Sequence, residues 1–201
     1  MSCGVLRVSC GVAGSRGRLT FIEVLDSRPP PTLHRMVKLE RLRPDHADAL
    51  LAFERANRAY FVRSISDRGD AYFAEFDARH KALLAEQDAG VCHFHVVLDG
   101  EGELIGRVNL MDVTADGSAV LGYRVGESAA GRGVATAAVG AVCRLAATRY
   151  GLTSLTAVTT LDNLASRTVL ERSGFCAEGE ITVAGRPGIA YRLASLSRLG
   201  H

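Results

Sequence analysis

Hydrophobic and polar residues change their spacing several times along this chain, and each change marks an element. Val37-Lys38-Leu39-Glu40-Arg41-Leu42 alternates with a period of two, as a half-buried strand does. Pro44-Asp45 then supplies a turn and a helix start before a helical stretch from Ala47 to Arg58. Tyr60-Phe61-Val62 and Ser66-Asp67-Arg68-Gly69-Asp70 interrupt that spacing. It resumes from Ala71 to Gln87 with Phe73, Phe76, Leu83 and Leu84 apolar, and Gly90 as the stop. Strand-like runs follow at Val91 to Leu98, Glu103 to Val113 and Ala119 to Val125. Their separators, Asp99-Gly100-Glu101-Gly102 and Ala115-Asp116-Gly117-Ser118, are hairpin turns, so an antiparallel meander is predicted.

After Val125 the pattern changes. Gly126 to Gly133 is a glycine-rich loop, and Val134 to Tyr150 is a mostly apolar helix ended by Gly151. Arg144 and Thr148, with the small Gly140 and Ala137, define its outer side, leaving Val139, Val142, Leu145 and Ala146 to pack on a sheet. Leu155 to Thr159 reads as a strand. Asp162 or Asn163 caps a helix through Arg172, and Gly174 stops it. A last hairpin, Phe175 to Val183 and Ile189 to Ala194, turns at Ala184-Gly185-Arg186-Pro187-Gly188. Strands that feed helices, appended to a meander, predict one α/β (α+β) domain over residues 36–201: a mixed, mostly antiparallel sheet flanked by helices.

Residues 1–35 read differently. Gly4, Gly11, Gly14, Gly17 and Pro29-Pro30-Pro31 occur without any sustained apolar period, which predicts a poorly ordered extension. Its arginines and serines, with no acid before Glu23, have the look of a transit peptide; the other reading is that translation begins at Met36.

Composition narrows the function classes. At 47% hydrophobic and 23% charged, the chain is an ordinary globular sequence, and its 24 basic and 22 acidic residues leave 24 − 22 = +2. So small a charge gives no broad basic face for nucleic acid. Val134 to Cys143, the longest uncharged apolar stretch, is too short to span a bilayer, so no membrane partner and a cytoplasmic residence are expected. The five cysteines form no C-x-x-C pair, and no metal is expected. In Cys92-His93-Phe94-His95 a strand sends the cysteine one way and both histidines the other, onto a polar face.

The informative stretch is Gly122-Tyr123-Arg124-Val125-Gly126-Glu127-Ser128-Ala129-Ala130-Gly131-Arg132-Gly133-Val134-Ala135-Thr136. A strand ends, glycines turn the backbone tightly and a helix begins at once, so unpaired N–H groups and the positive end of the helix dipole converge. Such a place suits a phosphate: Gly131 and Gly133 admit close approach, Ala135 stays small and Thr136 adds a hydroxyl. No Gly-Lys-Ser/Thr follows, as a Walker loop requires, and the third glycine of G-x-G-x-x-G is missing. A tight strand–helix connection without a ligand is the other reading of the same glycines.

This turn, followed by a strand and then by Leu161-Asp162-Asn163-Leu164-Ala165-Ser166-Arg167 and Leu170-Glu171-Arg172-Ser173-Gly174-Phe175, resembles the GNAT N-acetyltransferase superfamily, most of all its ribosomal-protein-alanine N-acetyltransferase (Rim) branch. The resemblance covers roughly Val37 to Leu196. It implies a sheet that splays between Ala119–Val125 and Leu155–Thr159 with acetyl-CoA in the opening. It further implies that Gly131, Arg132, Gly133, Val134, Ala135 and Thr136 hold the pyrophosphate, that Val125 hydrogen-bonds the pantetheine arm, and that Asn163 contacts the cofactor.

The implied reaction is direct attack of an amine on the thioester in a ternary complex. The resemblance makes Ser166 the proton donor to the departing thiolate; the residue type alone equally permits a hydroxyl that satisfies first-turn amides of its helix. Relatives carry acids or polar groups where this chain has Val120, Ala130 and Ala137, which leaves the base open among Glu127, His93, His95 and Asp112, acting directly or through water. Asn57 to Phe61 and Asp67 to Asp70 form the implied acceptor wall, whose acids are expected to pair with a cationic amine or to lie in a solvated loop. The implied acceptor is a small-molecule amine or a protein N-terminus, and the implied assembly a monomer or homodimer. An acetyl-CoA-binding regulatory module with little turnover is the alternative.

Overall fold

The computed structural model describes residues 37–196; the expectations for residues 1–35 lie outside them. Seven strands form one sheet in the order β1-β2-β3-β4-β5-β7-β6: β1 Lys38–Arg41, β2 His93–Leu98, β3 Leu104–Met111, β4 Ser118–Val125, β5 Ser154–Thr160, β6 Cys176–Val183 and β7 Arg186–Ala194. Only β4 and β5 run parallel, and every other neighbouring pair is antiparallel. The meander and the terminal hairpin therefore stand as the alternating runs predict. The last turn is tighter than expected. Ala184 (φ 48°) and Gly185 (φ 78°) make it alone, and Arg186, Pro187 and Gly188 belong to β7.

The helices are α1 Ala47–Ala56, α2 Arg58–Phe61, α3 Asp70–Ala74, α4 Phe76–Asp88, α5 Val134–Thr148 and α6 Leu164–Arg172. The helix expected over Ala71 to Gln87 is broken at Glu75, which leaves helical geometry at φ −99°, ψ 15°. The sheet is covered on both faces. Leu50, Phe53, Phe61, Tyr72 and Phe76 pack with Phe94 and Val96 on one side. Val139, Val142 and Leu170 pack with Val97, Val108, Leu155 and Tyr191 on the other. Each large aliphatic side chain so enclosed contributes about 1.5–3 kcal/mol of hydrophobic stabilisation.

Two-sided cover explains two departures. His95, expected on a polar face, is buried because that face lies under α5 and its C-terminal Tyr150. Ala137, expected on the outer side of α5, is also buried, since α5 touches α6 as well as β1, β3 and β4. Among the described residues no helix is long and apolar enough to cross a membrane.

Candidate functional site

The parallel pair β4 and β5 holds together only at its start, where Ser118, Ala119 and Val120 face Ser154, Leu155 and Thr156. Beyond Val120 the two strands diverge, while β4 stays paired with β3 as far as Val125. Gly126 N–H donates to Ile105 O at 2.9 Å. Antiparallel ladders alternate, so Arg124 and Gly122 also turn their backbone groups toward β3, and those of Val125 and Tyr123 point into the gap.

Immediately beyond the gap comes the glycine turn. Gly131 (φ 71°) and Gly133 (φ 78°) are both left-handed, a conformation that strains any residue with a Cβ. Gly133 is the N-cap of α5, and no side chain caps this helix or places an acid in its first turn. Among the described residues, the N–H groups of Gly131, Arg132, Gly133, Val134, Ala135 and Thr136 hydrogen-bond to no other group of the protein. A run of orphaned donors at a helix N-terminus attracts an anion through both the dipole and direct hydrogen bonds. A Cβ built on Gly131 would meet nothing within 4 Å, so a ligand can lie directly against the backbone there. The gap and the turn share one cleft of about 390 Å³, which Val125, Gly131, Gly133, Ala135, Thr136 and Asn163 line. Donors, room and the opened strands together fit a pyrophosphate with an extended arm leading into the sheet.

Asn163 starts α6. Its Oδ1 accepts from Ser166 N at 3.0 Å, which makes Asn163 the cap and leaves its amide N–H groups without a partner among the described residues. Ser166 therefore does not cap with its hydroxyl. The Tyr123 hydroxyl lies 3.0 Å from Ser166 Oγ and 3.2 Å from Ser166 O, so its single proton can go to either oxygen of Ser166. Burial pushes the Tyr123 phenol above its ordinary value, so it stays protonated at neutral pH.

On the α1 side of the sheet, Glu54 is buried at 2% exposure and meets three arginines. Arg124 Nη1 lies 2.9 Å from its carboxylate, Arg107 Nη1 3.2 Å and Arg68 Nη1 3.9 Å. With the Asn109 amide turned so that its oxygen faces the guanidinium, that oxygen accepts from Arg107 Nη2 at 3.0 Å and Nε at 3.3 Å, which saturates Arg107 further. Burial lowers the Arg124 guanidinium to about 10, which still leaves it cationic at neutral pH.

The residues considered as bases do not gather here. Glu127 is exposed and reaches Arg63 at 3.3 Å, and Asp112 is exposed beyond β3. His93 stacks on Tyr150 with ring centroids 3.7 Å apart, and His95 Nε2 lies 2.8 Å from the Tyr150 hydroxyl, two strands from the gap. Burial lowers the His95 imidazole to about 4, which keeps it neutral. The acids of the expected acceptor wall are committed as well: Asp67 and Asp70 both bind Arg58, at 2.6 Å each. Sequence reasoning missed Tyr123, Arg124 and Glu54. The signal was present, since Gly-Tyr-Arg-Val directly precedes the glycine turn and strand alternation sends Tyr123 and Arg124 to opposite faces.

Residues 37–176 match the family model for the acetyltransferase (GNAT) domain. No curated protein sequence matches the chain. Among solved structures, the ribosomal-protein-S5-alanine acetyltransferase from Vibrio fischeri is similar with a TM-score of 0.74 at 20% identity, over 80% of this chain and 93% of that one. RimL, a ribosomal L7/L12 alpha-N-protein acetyltransferase in complex with coenzyme A, is similar at 0.72 and 18%, over 81% and 96%. Mycobacterium smegmatis RimJ, in complex with CoA-disulfide, is similar at 0.69 and 25%, over 81% and 87%.

Proposed function

This chain belongs to the GNAT acetyltransferase family and is an acetyl-CoA-dependent N-acetyltransferase, and we propose that it acetylates a protein N-terminal amine by direct attack in a ternary complex. The observation that carries this reading is the run of unpartnered N–H groups from Gly131 to Thr136 at the mouth of the β4–β5 gap.

Acetyl-CoA, when bound, supplies an activated acyl carbon and a thiolate leaving group. The residues of the chain divide the remaining tasks. Gly131, Arg132, Gly133, Val134, Ala135 and Thr136 hold the pyrophosphate through their N–H groups, with the Thr136 hydroxyl beside them. Val125 offers its gap-facing backbone to the pantetheine arm and to the developing oxyanion. Asn163 contacts the cofactor through its free amide N–H groups. Ser166 passes its hydroxyl proton to the thiolate as the Tyr123 hydroxyl, 3.0 Å behind it, donates its own to Ser166 Oγ, and water in the open cleft restores the proton of Tyr123. Among the described residues no carboxylate or imidazole lines the cleft, so the attacking amine loses its proton to water in the open cleft.

The test is to incubate the full chain with acetyl-CoA and peptides bearing a free N-terminus, and to follow CoA thiol release together with peptide mass. Release coupled to the gain of one acetyl group on the peptide N-terminus is expected. Acetyl-CoA binding with no transfer to any amine would overturn the reading in favour of a regulatory module.

A further inference from the structure

Charge on the wall of the cleft is one-sided. Arg124 and Arg172 line it and, among the described residues, no acid does. Behind Arg124 the buried Glu54 is the only carboxylate within 4.0 Å of Arg68, Arg107 and Arg124 among the described residues. The two largely buried cations Arg107 and Arg124 share one carboxylate, with Arg68 at the exposed rim adding a third positive charge, and buried charges persist where a partner completes them.

The arginines differ in what they have left. Arg107 uses its donors on Glu54 and Asn109. Arg124 uses only Nη1, so its Nε and Nη2 have no partner among the described residues, and neither atom is sealed from solvent. That edge is the one a carboxylate takes side-on. Arg58 shows the same geometry in this molecule, with Nε 3.0 Å from Asp67 Oδ1 and Nη2 2.6 Å from Oδ2. Arg124 is also held in place, its guanidinium stacked 4.9 Å over Phe61, as Arg68 is stacked 4.4 Å over Tyr72. The recess of about 10 Å³ that Arg124 and Arg68 line together is too small for a carboxylate and is lined by Glu54 and Asp67 as well, so a ligand meets Arg124 from the cleft that it also lines. Arg58 with Asp67 and Asp70 carries one net negative charge, which water screens because the two acid side chains are 41% and 91% exposed.

We infer that the acceptor carries a carboxylate near its reactive amine, and that the free edge of Arg124, with Arg68 beside it, receives that carboxylate. This rests on the N-acetyltransferase reading above and deepens it. A polycationic amine is disfavoured at the same place by like charge. The carboxylate can belong to an acidic residue next to a peptide N-terminus or to a free amino acid, and the two sources are separable by assay.

The experiment measures kcat/KM of the unmodified full chain with acetyl-CoA on peptides whose second residue is Asp or its amide isostere Asn, and on free aspartate and asparagine. The acidic member of one pair is expected to be better by about tenfold or more. In R124Q and in R68Q that ratio falls toward one while the acetyl-CoA Kd stays within about twofold. The R68Q variant matters because Arg68 lies at the solvent-exposed rim and makes no hydrogen bond to Glu54, so its loss spares the buried pair. A peptide preference assigns the carboxylate to a side chain, and an amino-acid preference assigns it to a free acid. Equal rates within each pair, faster turnover of a lysine-bearing peptide, or an R124Q defect in acetyl-CoA affinity would overturn this inference alone. No transfer to any acceptor would overturn it together with the function on which it rests.

Discussion

The Tyr123 hydroxyl and Ser166 Oγ lie 3.0 Å apart, joining β4 to the first turn of α6 across the gap in which the reaction is placed. In the proposed mechanism the pair ties the proton donor to the thiolate to the group that supports it. Ser166→Ala is expected to lower kcat by about 10²-fold with acetyl-CoA affinity almost unchanged. Tyr123→Phe is expected to lower it by about tenfold, and the double variant to be no slower than Ser166→Ala, because residues acting as a unit are not additive. Steady-state kinetics with calorimetric Kd values check this; a Ser166→Ala rate within twofold of the parent removes Ser166 from the mechanism.

Ala135 lies in the first turn of α5 with an ordinary helical backbone, unlike Gly133 with its φ of 78°. Ala135→Glu therefore sets a carboxylate in the phosphate seat without left-handed strain. Acetyl-CoA affinity is expected to fall by about 10²-fold through charge repulsion and lost room, with the melting temperature nearly unchanged. Unaltered affinity would place the pyrophosphate elsewhere.

Glu54→Gln keeps the shape of a buried side chain and removes the carboxylate that, alone among the described residues, pairs with Arg107 and Arg124. Breaking one partner of a buried ion pair leaves uncompensated charge, so a loss of about 3 kcal/mol is expected by denaturant unfolding with an unchanged slope. A loss below about 1 kcal/mol would show that water already screens the cluster.

His95 is neutral in the folded protein because burial lowers it from 6.5 to about 4. The unfolded chain binds this proton more readily, so the stabilisation is complete above about pH 6.5 and is lost as pH falls toward 4. Unfolding measured at pH 7 and pH 5 is expected to differ by about 2 kcal/mol from this residue, and the difference should shrink by that amount in His95→Gln. Glu40, lowered to about 2 from 4.5 chiefly by its hydrogen bonds to Lys38 and Arg43, loses its contribution below that window and does not obscure the result. A pH response identical in both proteins would contradict a neutral, buried His95.

Much of this fold is legible because local chemistry announces it. The Asp99–Gly102 turn, the glycines before Val134 and the Asn163 cap each demand one backbone geometry, and β2, β3, α5 and α6 follow from them. What stays hidden depends on long-range contact. A strand shows which side chains share a face but not whether that face is covered, so His95 reads as polar surface until Tyr150 is laid across it. Nothing local in the Ala47 to Arg58 stretch marks Glu54 for burial, because Arg107 and Arg124, which β3 and β4 bring to it, are 53 and 70 residues away in sequence. Asp67 and Asp70 read as free acids until Arg58 closes on them.

The most direct measurement is isothermal calorimetry of the full chain with acetyl-CoA, with ATP as the control ligand. One acetyl-CoA per chain, no heat from ATP and loss of the acetyl-CoA signal in Ala135→Glu are the expected results. A folded protein that gives no heat with acetyl-CoA would contradict the placement of the cofactor in the β4–β5 cleft.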